Sequence, residues 1–178
     1  MHTAARVRRT LPSPIGPLLL EVQGGAVTRL TMGSPIDPAE VNCGGGTAVD
    51  VEVADRTERQ LSEYFAGRRK EFDLPLAAEG TAFQMAVWAA LRTIPCGETR
   101  SYADVAAAVD AQRASTLARA VGQANGANPI GVIVPCHRVV NASGSIGGYA
   151  GGLAAKHWLL RHEKAGTPEL WDEAVSTR

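Results

Sequence analysis

The sequence predicts a mixed α/β (α+β) protein in which a small antiparallel sheet with one covering helix precedes a helical half. Three observations carry this. Arg6 to Leu11, Leu18 to Val22 and Val27 to Met32 are short runs rich in leucine and β-branched residues, separated by Pro-Gly and Gly-Gly punctuation, the pattern of an antiparallel meander. From Asp55, the apolar residues Leu61, Tyr64 and Phe65 recur at helical spacing amid Arg and Glu until Gly67, so an amphipathic helix should cover one face of that sheet. Beyond Pro75 to Gly80, three further stretches carry helical periodicity with cap residues at their starts.

The remaining elements follow in order. Gly33 to Asp50, with Pro35, Pro38 and Gly44-Gly45-Gly46, reads as a loop, and Glu71 to Leu76 as a further strand. Thr81 is a suitable N-cap for a helix through Phe83, Val87, Trp88 and Leu91 that stops before Pro95. A second helix starts near Tyr102 and carries Val105 and Val109. A third runs from about Ser115, whose hydroxyl can cap it, to Asn125-Gly126, and Leu117, Ala120, Val121 and Ala124 form its buried stripe. Two short helices joined by a turn suggest a helix-turn-helix. The opposite face of the third helix holds Arg119, Gly122, Gln123 and Gly126, one long cation among small residues. Glycine inside a helix costs about 1 kcal/mol relative to alanine, so two of them hint at a close approach. The organisation expected is an α/β subdomain over 1–80, a helical domain over 81–166 and a tail over 167–178.

Composition narrows the function classes. The 178 residues are 45% hydrophobic with zero formal net charge, which suits a globular protein with a packed core and excludes one coated uniformly in nucleic-acid-binding charge. Residues 81–163 nevertheless carry a net charge of +3, from seven Arg or Lys and four Asp or Glu. Arg6, Arg8 and Arg9 are followed by no apolar stretch, and no run is long enough to span a bilayer, so secretion and membrane insertion are disfavoured. Three cysteines, Cys43, Cys96 and Cys136, at unrelated spacings fit neither a disulfide framework nor a structural zinc site. The expectation is a cytoplasmic protein without metal or cofactor, its thiols free.

Pro135-Cys136-His137-Arg138 concentrates the chemistry. It sets a thiol beside an imidazole and a guanidinium just after the apolar run Gly131-Val132-Ile133-Val134. A thiol is a strong nucleophile only as thiolate, and a neighbouring base or cation lowers the cost of losing the proton. Taken alone, the pair also fits an inert buried cysteine. If the segment is extended, adjacent side chains point to opposite faces, so Cys136 and His137 need a bridging water or a kink at Pro135 to communicate.

The surroundings decide between these readings. Asn128-Pro129 precedes; Gly144, Gly147, Gly148, Tyr149, Gly151 and Gly152 follow; and Trp158 to Glu163 closes the region. Without a gap from Ala118 to Glu163, the chain resembles the O6-alkylguanine-DNA alkyltransferase (methylated-DNA–protein-cysteine methyltransferase) family. Phe83 to Trp88 and Gly97 to Tyr102 extend the match, and Ser13 to Leu18 looks like that family's amino-terminal strand signature.

The resemblance implies a ribonuclease H-like amino-terminal part, a winged-helix-like carboxy-terminal part, and repair of DNA by irreversible, single-turnover transfer of an alkyl group, typically methyl, to Cys136. The donor is O6-alkylguanine, with O4-alkylthymine a second candidate. It implies that His137 draws the thiol proton through a water while Glu163 orients the imidazole. Asn128 braces the joint between helix and cysteine loop. Arg119 is the finger that fills the place of the flipped base, Tyr102 stands beside the rotated phosphate and base, and Gly122 and Gln123 lie on the face that enters the minor groove. Pro135 and Val139 belong to the pocket with Tyr149, which packs on the base, and Ala150, whose N–H donates to O6; the Cys136 and Val139 carbonyls accept from the exocyclic amine. The partner implied is duplex DNA containing alkylated guanine, met by a monomer that can act cooperatively.

Three positions depart from the pattern. Asp110 to Thr116 is about three residues longer than usual, Cys96 stands where tyrosine or phenylalanine is common, and Gly131 where proline or alanine is frequent. The competing readings are a non-catalytic alkylated-DNA-binding or helix-turn-helix regulatory protein, and a cysteine hydrolase. Lesion recognisers usually carry tryptophan in place of Cys136, and His2, His157 and His162 offer a hydrolase no convincing partner.

Overall fold

The structure is a computed structural model that describes residues 6–33 and 45–164. Cys43, most of the 33–50 loop and the 167–178 tail lie outside the described residues. Two compact units are present, one formed by residues 6–33, 45–79 and 129–133, the other by residues 80–128 and 134–164.

In the first unit, β1 (Val7–Leu11), β2 (Leu18–Gln23) and β3 (Ala26–Met32) form an antiparallel sheet in the order β1-β2-β3. The meander expected from the punctuation is present. Gly24 and Gly25, at φ 61° and 76°, make the two-residue turn between β2 and β3, a turn that needs positive φ at both positions. Leu18, Leu20 and Val22 point one way into the core with Val7, Leu11, Val27 and Leu30.

Helix α1 (Ala48–Phe65) packs on the sheet through Val53, Ala54, Thr57, Leu61 and Tyr64. It starts seven residues before Asp55, where the periodicity placed it, because Thr47 and Asp50 form a capping box. Asp50 also accepts the Gly25 N–H at 2.7 Å, tying the helix start to the β-turn. Glu71 to Leu76 is not a strand. Only Leu76 bridges Val27, and the Gln60 carboxamide takes the place of a ladder by bonding both the N–H and the C=O of Asp73. Residues 129–133 join this unit along β3, where Leu30 donates to Pro129 O and accepts from Gly131 N, each at 2.8 Å.

The second unit contains α2 (Ala82–Leu91), β4 (Arg100–Ser101), α3 (Tyr102–Val109), α4 (Ala114–Gly126), β5 (Val139–Val140) and α5 (Leu153–His162). Thr81 caps α2 through a box with Gln84, and Ser101 caps α3 through one with Asp104. Ser115 does not cap α4; it is the second residue of that helix, whose N-cap Arg113 has no side-chain bond. The preceding turn is held by Asp110, whose carboxylate accepts from the N–H groups of Gln112 and Arg113. α3 packs against α4, and Trp88 on α2 donates its indole N–H to Ala124 O at 2.8 Å. β4 and β5 pair in parallel.

Candidate active site

The chain reaches Cys136 through two three-residue turns. Ile133 N–H bonds Gly131 O at 2.8 Å around Val132, whose φ is 67°. Cys136 N–H bonds Val134 O at 2.8 Å around Pro135, at φ −82° and ψ 62°. The second is a low-energy turn that proline pre-sets; the first places a β-branched residue in the left-handed region, at a cost of order 1–3 kcal/mol. Cys136–Arg138 then forms one turn of 3₁₀ helix, so the segment is not extended, and the kink falls at Pro135. Within this turn the His137 ring bonds Glu163.

Glu163, at the end of α5, is the hub. His137 Nε2 donates to its Oε1 at 3.0 Å, Arg138 Nη2 to Oε1 at 2.8 Å, and Arg138 Nε to Oε2 at 2.9 Å. Arg138 also donates to Ile94 O. Burial pushes the carboxyl pKa up, but the bonds from His137 and Arg138 and their charges prevail and hold it well below the usual carboxylate range. Glu163 is therefore ionised and can only accept. Burial likewise outweighs the Glu163 bond and charge at His137 and lowers its pKa, so the imidazole is neutral. A neutral ring that donates from Nε2 leaves Nδ1 with a bare lone pair. That Nδ1 is buried and has no partner among the described residues.

Cys136 is 5% exposed. Burial raises its pKa more than Asn128, Lys156, Tyr149 and its own backbone lower it, so the neighbours favour the thiolate but the resting group is a thiol. A base must take the proton at the moment of reaction. Lys156 on α5 is fully buried and donates to Val139 O at 2.6 Å and Gly148 O at 3.1 Å. Burial lowers its pKa to about 8 while the nearby Cys136 sulfur works the other way. The Tyr149 hydroxyl has no hydrogen-bond partner among the described residues, and burial, together with the charge that Cys136 carries once ionised, pushes its pKa up.

The other expected residues fall around this centre. Asn128 Nδ2 donates to Val134 O at 2.8 Å, bracing the turn at Pro135. Pro135 and Val139 are buried beside Cys136 in sequence. Tyr102, Gly122, Asn125, Gly126, Gly148, Tyr149 and Ala150 line a cavity of about 220 Å³. Gly147, at φ 68°, lies where an added Cβ would come 3.3 Å from the Tyr102 hydroxyl. Arg119 and Gln123 are exposed on α4. A Cβ at Gly122 would meet nothing nearer than the Tyr102 ring at 3.8 Å, and one at Gly126 nothing within 4 Å, so internal packing does not demand these glycines.

The family model described as the 6-O-methylguanine DNA methyltransferase DNA binding domain matches residues 82–165, and that of the ribonuclease-like domain matches residues 7–78. A Mycobacterium tuberculosis protein named methylated-DNA–protein-cysteine methyltransferase is 47% identical over 161 residues, 90% of this chain and 93% of its own. The chain belongs to the methylated-DNA–protein-cysteine methyltransferase family. A relative of the same name from Methanosarcina acetivorans is 44% identical over 85% of this chain and 94% of its own. The crystal structure of the Mycobacterium tuberculosis O6-methylguanine methyltransferase superposes with a TM-score of 0.74 at 46% identity, covering 89% of this chain and 93% of that one. A structure of the Mycobacterium tuberculosis protein in complex with DNA gives 0.74 at 44% identity, covering 93% and 98%.

The matched DNA-binding domain spans residues 82–165 and so includes Cys136, His137, Glu163 and the residues that line the cavity. Among the described residues no helix is long and apolar enough to cross a membrane, and no group of three or more His, Cys, Asp or Glu could hold a metal ion. Sequence reasoning left out Asn125, Arg138 and Lys156 as site residues. Asn125 carried a signal, a polar residue at i+4 from Val121 on the buried stripe of α4, and Arg138 stood next to the pair already singled out. Lys156 had none: a lysine in an amphipathic helix ordinarily faces solvent.

Proposed function

We propose that this chain repairs DNA by moving the alkyl group of O6-alkylguanine onto Cys136 in a single, irreversible turnover. The observation that carries the reading is the orphaned lone pair of His137 Nδ1, next in sequence to a buried thiol and backed by an ionised Glu163. His137 takes the thiol proton through one water, the thiolate attacks the alkyl carbon in line, a C–S bond forms as the C–O6 bond breaks, and the proton ends on the departing guanine. Glu163 stabilises the transient imidazolium, and Arg138 keeps Glu163 from taking the proton itself. Such proton transfers contribute about 10²–10⁴-fold to rate. No cofactor enters, since the base supplies the carbon and the sulfur keeps it.

The partner is duplex DNA containing alkylated guanine, met by a monomer in a reducing cytoplasm that preserves the thiol, with cooperative binding along the duplex. Residues 81–166 do the binding and the transfer, with 1–80 a separate α/β subdomain. O6 is out of reach inside the stack, so the nucleotide must be everted at about a few kcal/mol. Arg119 fills its place and Gln123, Gly122 and Gly126 face the minor groove, about 6 Å wide before it opens. Glycines that packing does not require support this use of the α4 face. Tyr102 sits beside the rotated phosphate and base, Tyr149 packs on the base, the Ala150 N–H donates to O6, and Asn128, Pro135 and Val139 shape the wall.

Incubation with DNA bearing labelled O6-methylguanine, followed by digestion, should place one equivalent of label on the peptide containing Cys136. Label elsewhere, or repeated turnover by one molecule, would defeat the reading. Arg119→Ala should slow repair of duplex lesions far more than reaction with free O6-benzylguanine; equal losses would remove its flipping role.

A further inference from the structure

The turn between α3 and α4 is where the second unit departs from the family pattern in length, and Arg113 closes it. Its main chain is held from both sides. The Arg113 N–H donates to Asp110 O and to Asp110 Oδ1, each at 3.2 Å, and the Arg113 carbonyl accepts from Thr116 Oγ1 at 2.9 Å, Thr116 N at 3.0 Å and Leu117 N at 3.2 Å. The guanidinium, by contrast, is exposed and has no hydrogen bond or ion pair among the described residues. The four carboxylates of this unit are engaged elsewhere: Glu98 with Arg100, Asp104 with Ser101, Asp110 with the N–H groups of the turn, and Glu163 with His137 and Arg138. Arg100 and Arg138 are thereby neutralised, and Lys156 is enclosed by main-chain carbonyls. At the start of α4, Arg113 and Arg119 are left as exposed cations with no partner among the described residues.

We propose that Arg113 is a phosphate-contacting residue, whose guanidinium binds the backbone of duplex DNA at the rim of the groove that the Arg119 face of α4 enters. The inference rests on the duplex-DNA partner proposed above and adds a residue to it. An α-helix rises about 1.5 Å and turns about 100° per residue, so Arg113 stands about 9 Å before Arg119 along α4 and about 120° around its axis. Two arginines so placed cannot reach the floor of one narrow groove together. Arg119 shares its stripe with Gly122 and Gly126 and goes in; Arg113, on a helix about 10–12 Å thick, stays outside where the phosphates stand. A guanidinium fork matches a phosphate with two parallel hydrogen bonds, and a main chain already pinned loses little freedom on binding. Such a contact reads no bases. It fixes the register of the helix on the duplex, which suits a protein that meets lesions in any sequence.

The test titrates undamaged duplex DNA at several salt concentrations. Each neutralised phosphate contributes about 0.9 to the slope of log Kd against log salt, so Arg113→Gln should lower that slope by about 0.9 and weaken binding about eightfold at about 0.1 M salt relative to about 1 M. Arg113→Lys keeps the charge and should hold the slope within about 0.3 of wild type. Arg92→Gln removes another exposed arginine of the same unit, at the end of α2, and should leave the slope unchanged. Single-turnover transfer from free O6-benzylguanine, which needs no duplex, should match wild type in all three variants. An unchanged slope in Arg113→Gln overturns the proposal. So does an equal drop in Arg92→Gln, which would assign the effect to net charge, or a matching loss of benzyl transfer in Arg113→Gln, which would make the residue a brace of the turn. Salt-independent binding by the wild type would overturn it together with the duplex-DNA partner. If the wild type bound the duplex as expected but moved no alkyl group to Cys136, the phosphate contact would stand and the repair reading would fall.

Discussion

Glu163→Gln separates the structural from the chemical work of one carboxylate. Its side chain is fully buried, and it receives three hydrogen bonds from His137 and Arg138 at 2.8–3.0 Å. Gln can present one acceptor to these donors but turns an NH₂ toward the rest, and it leaves the Arg138 guanidinium, 7% exposed, without its counter-charge. Removing one partner of a buried pair costs about 3–5 kcal/mol. At about 2–4 °C per kcal/mol for a chain of this size, Tm should fall by about 6–20 °C. The same change frees the imidazole to rotate and takes away the anion that stabilises its protonated form, so methyl transfer at pH 7 should slow by about 100-fold. The difference should narrow at high pH, where solvent itself removes the thiol proton. Single-turnover transfer from labelled O6-methylguanine DNA and thermal melts measure both effects. A Tm within about 2 °C of wild type together with a rate within about threefold would refute the hub argument.

Lys156→Met removes a buried cation whose charge lowers the Cys136 pKa, so it should raise that pKa and slow iodoacetamide modification severalfold at pH 7. The two proteins should converge above about pH 8, where burial has already neutralised the wild-type ammonium; a constant gap up to pH 10 would contradict the electrostatic origin. Asp50→Ala should cost about 2 kcal/mol at neutral pH by opening the capping box of α1 and orphaning the Gly25 N–H. The Gly25 bond, opposed by burial and helped by Thr47, depresses the Asp50 pKa, so its stabilisation is present above 3.8 and is lost as the pH falls below that value. Urea titrations at pH 7 and pH 2.5 should show the wild type and variant drawing together in acid.

Much of the fold was legible because its signals are local. The Gly24-Gly25 turn, the Thr81 cap and the stripe of α4, of which Val121 and Ala124 are buried and Leu117 and Ala120 half-buried, each lie within a few residues and obey one rule apiece. The early start of α1 was readable in Thr47-x-x-Asp50 but was masked by the glycines before it, which signal loop. Glu71 to Leu76 has strand composition, yet Gln60, thirteen residues from Asp73, satisfies the backbone that a ladder would have paired, and no periodicity reveals a distant carboxamide. The site divides the same way. Cys136, His137 and Glu163 were found as chemical types in a recognisable pattern. The protonation state of Cys136 was not, because it depends on how completely the sulfur is enclosed, a three-dimensional sum to which Lys156 and Asn128 contribute from separate elements.

The paired turns at Val132 and Pro135 bear on which partner moves during the reaction. Their torsions have opposite sign, and each is closed by its own hydrogen bond. Within the second unit the Pro135 turn and the Asn128 bond to Val134 O fix the main chain immediately before the nucleophile. Travel toward in-line geometry falls to the DNA, whose strand must bring the carbon to the sulfur, so local stiffness of the damaged duplex becomes a determinant of how fast a lesion is cleared.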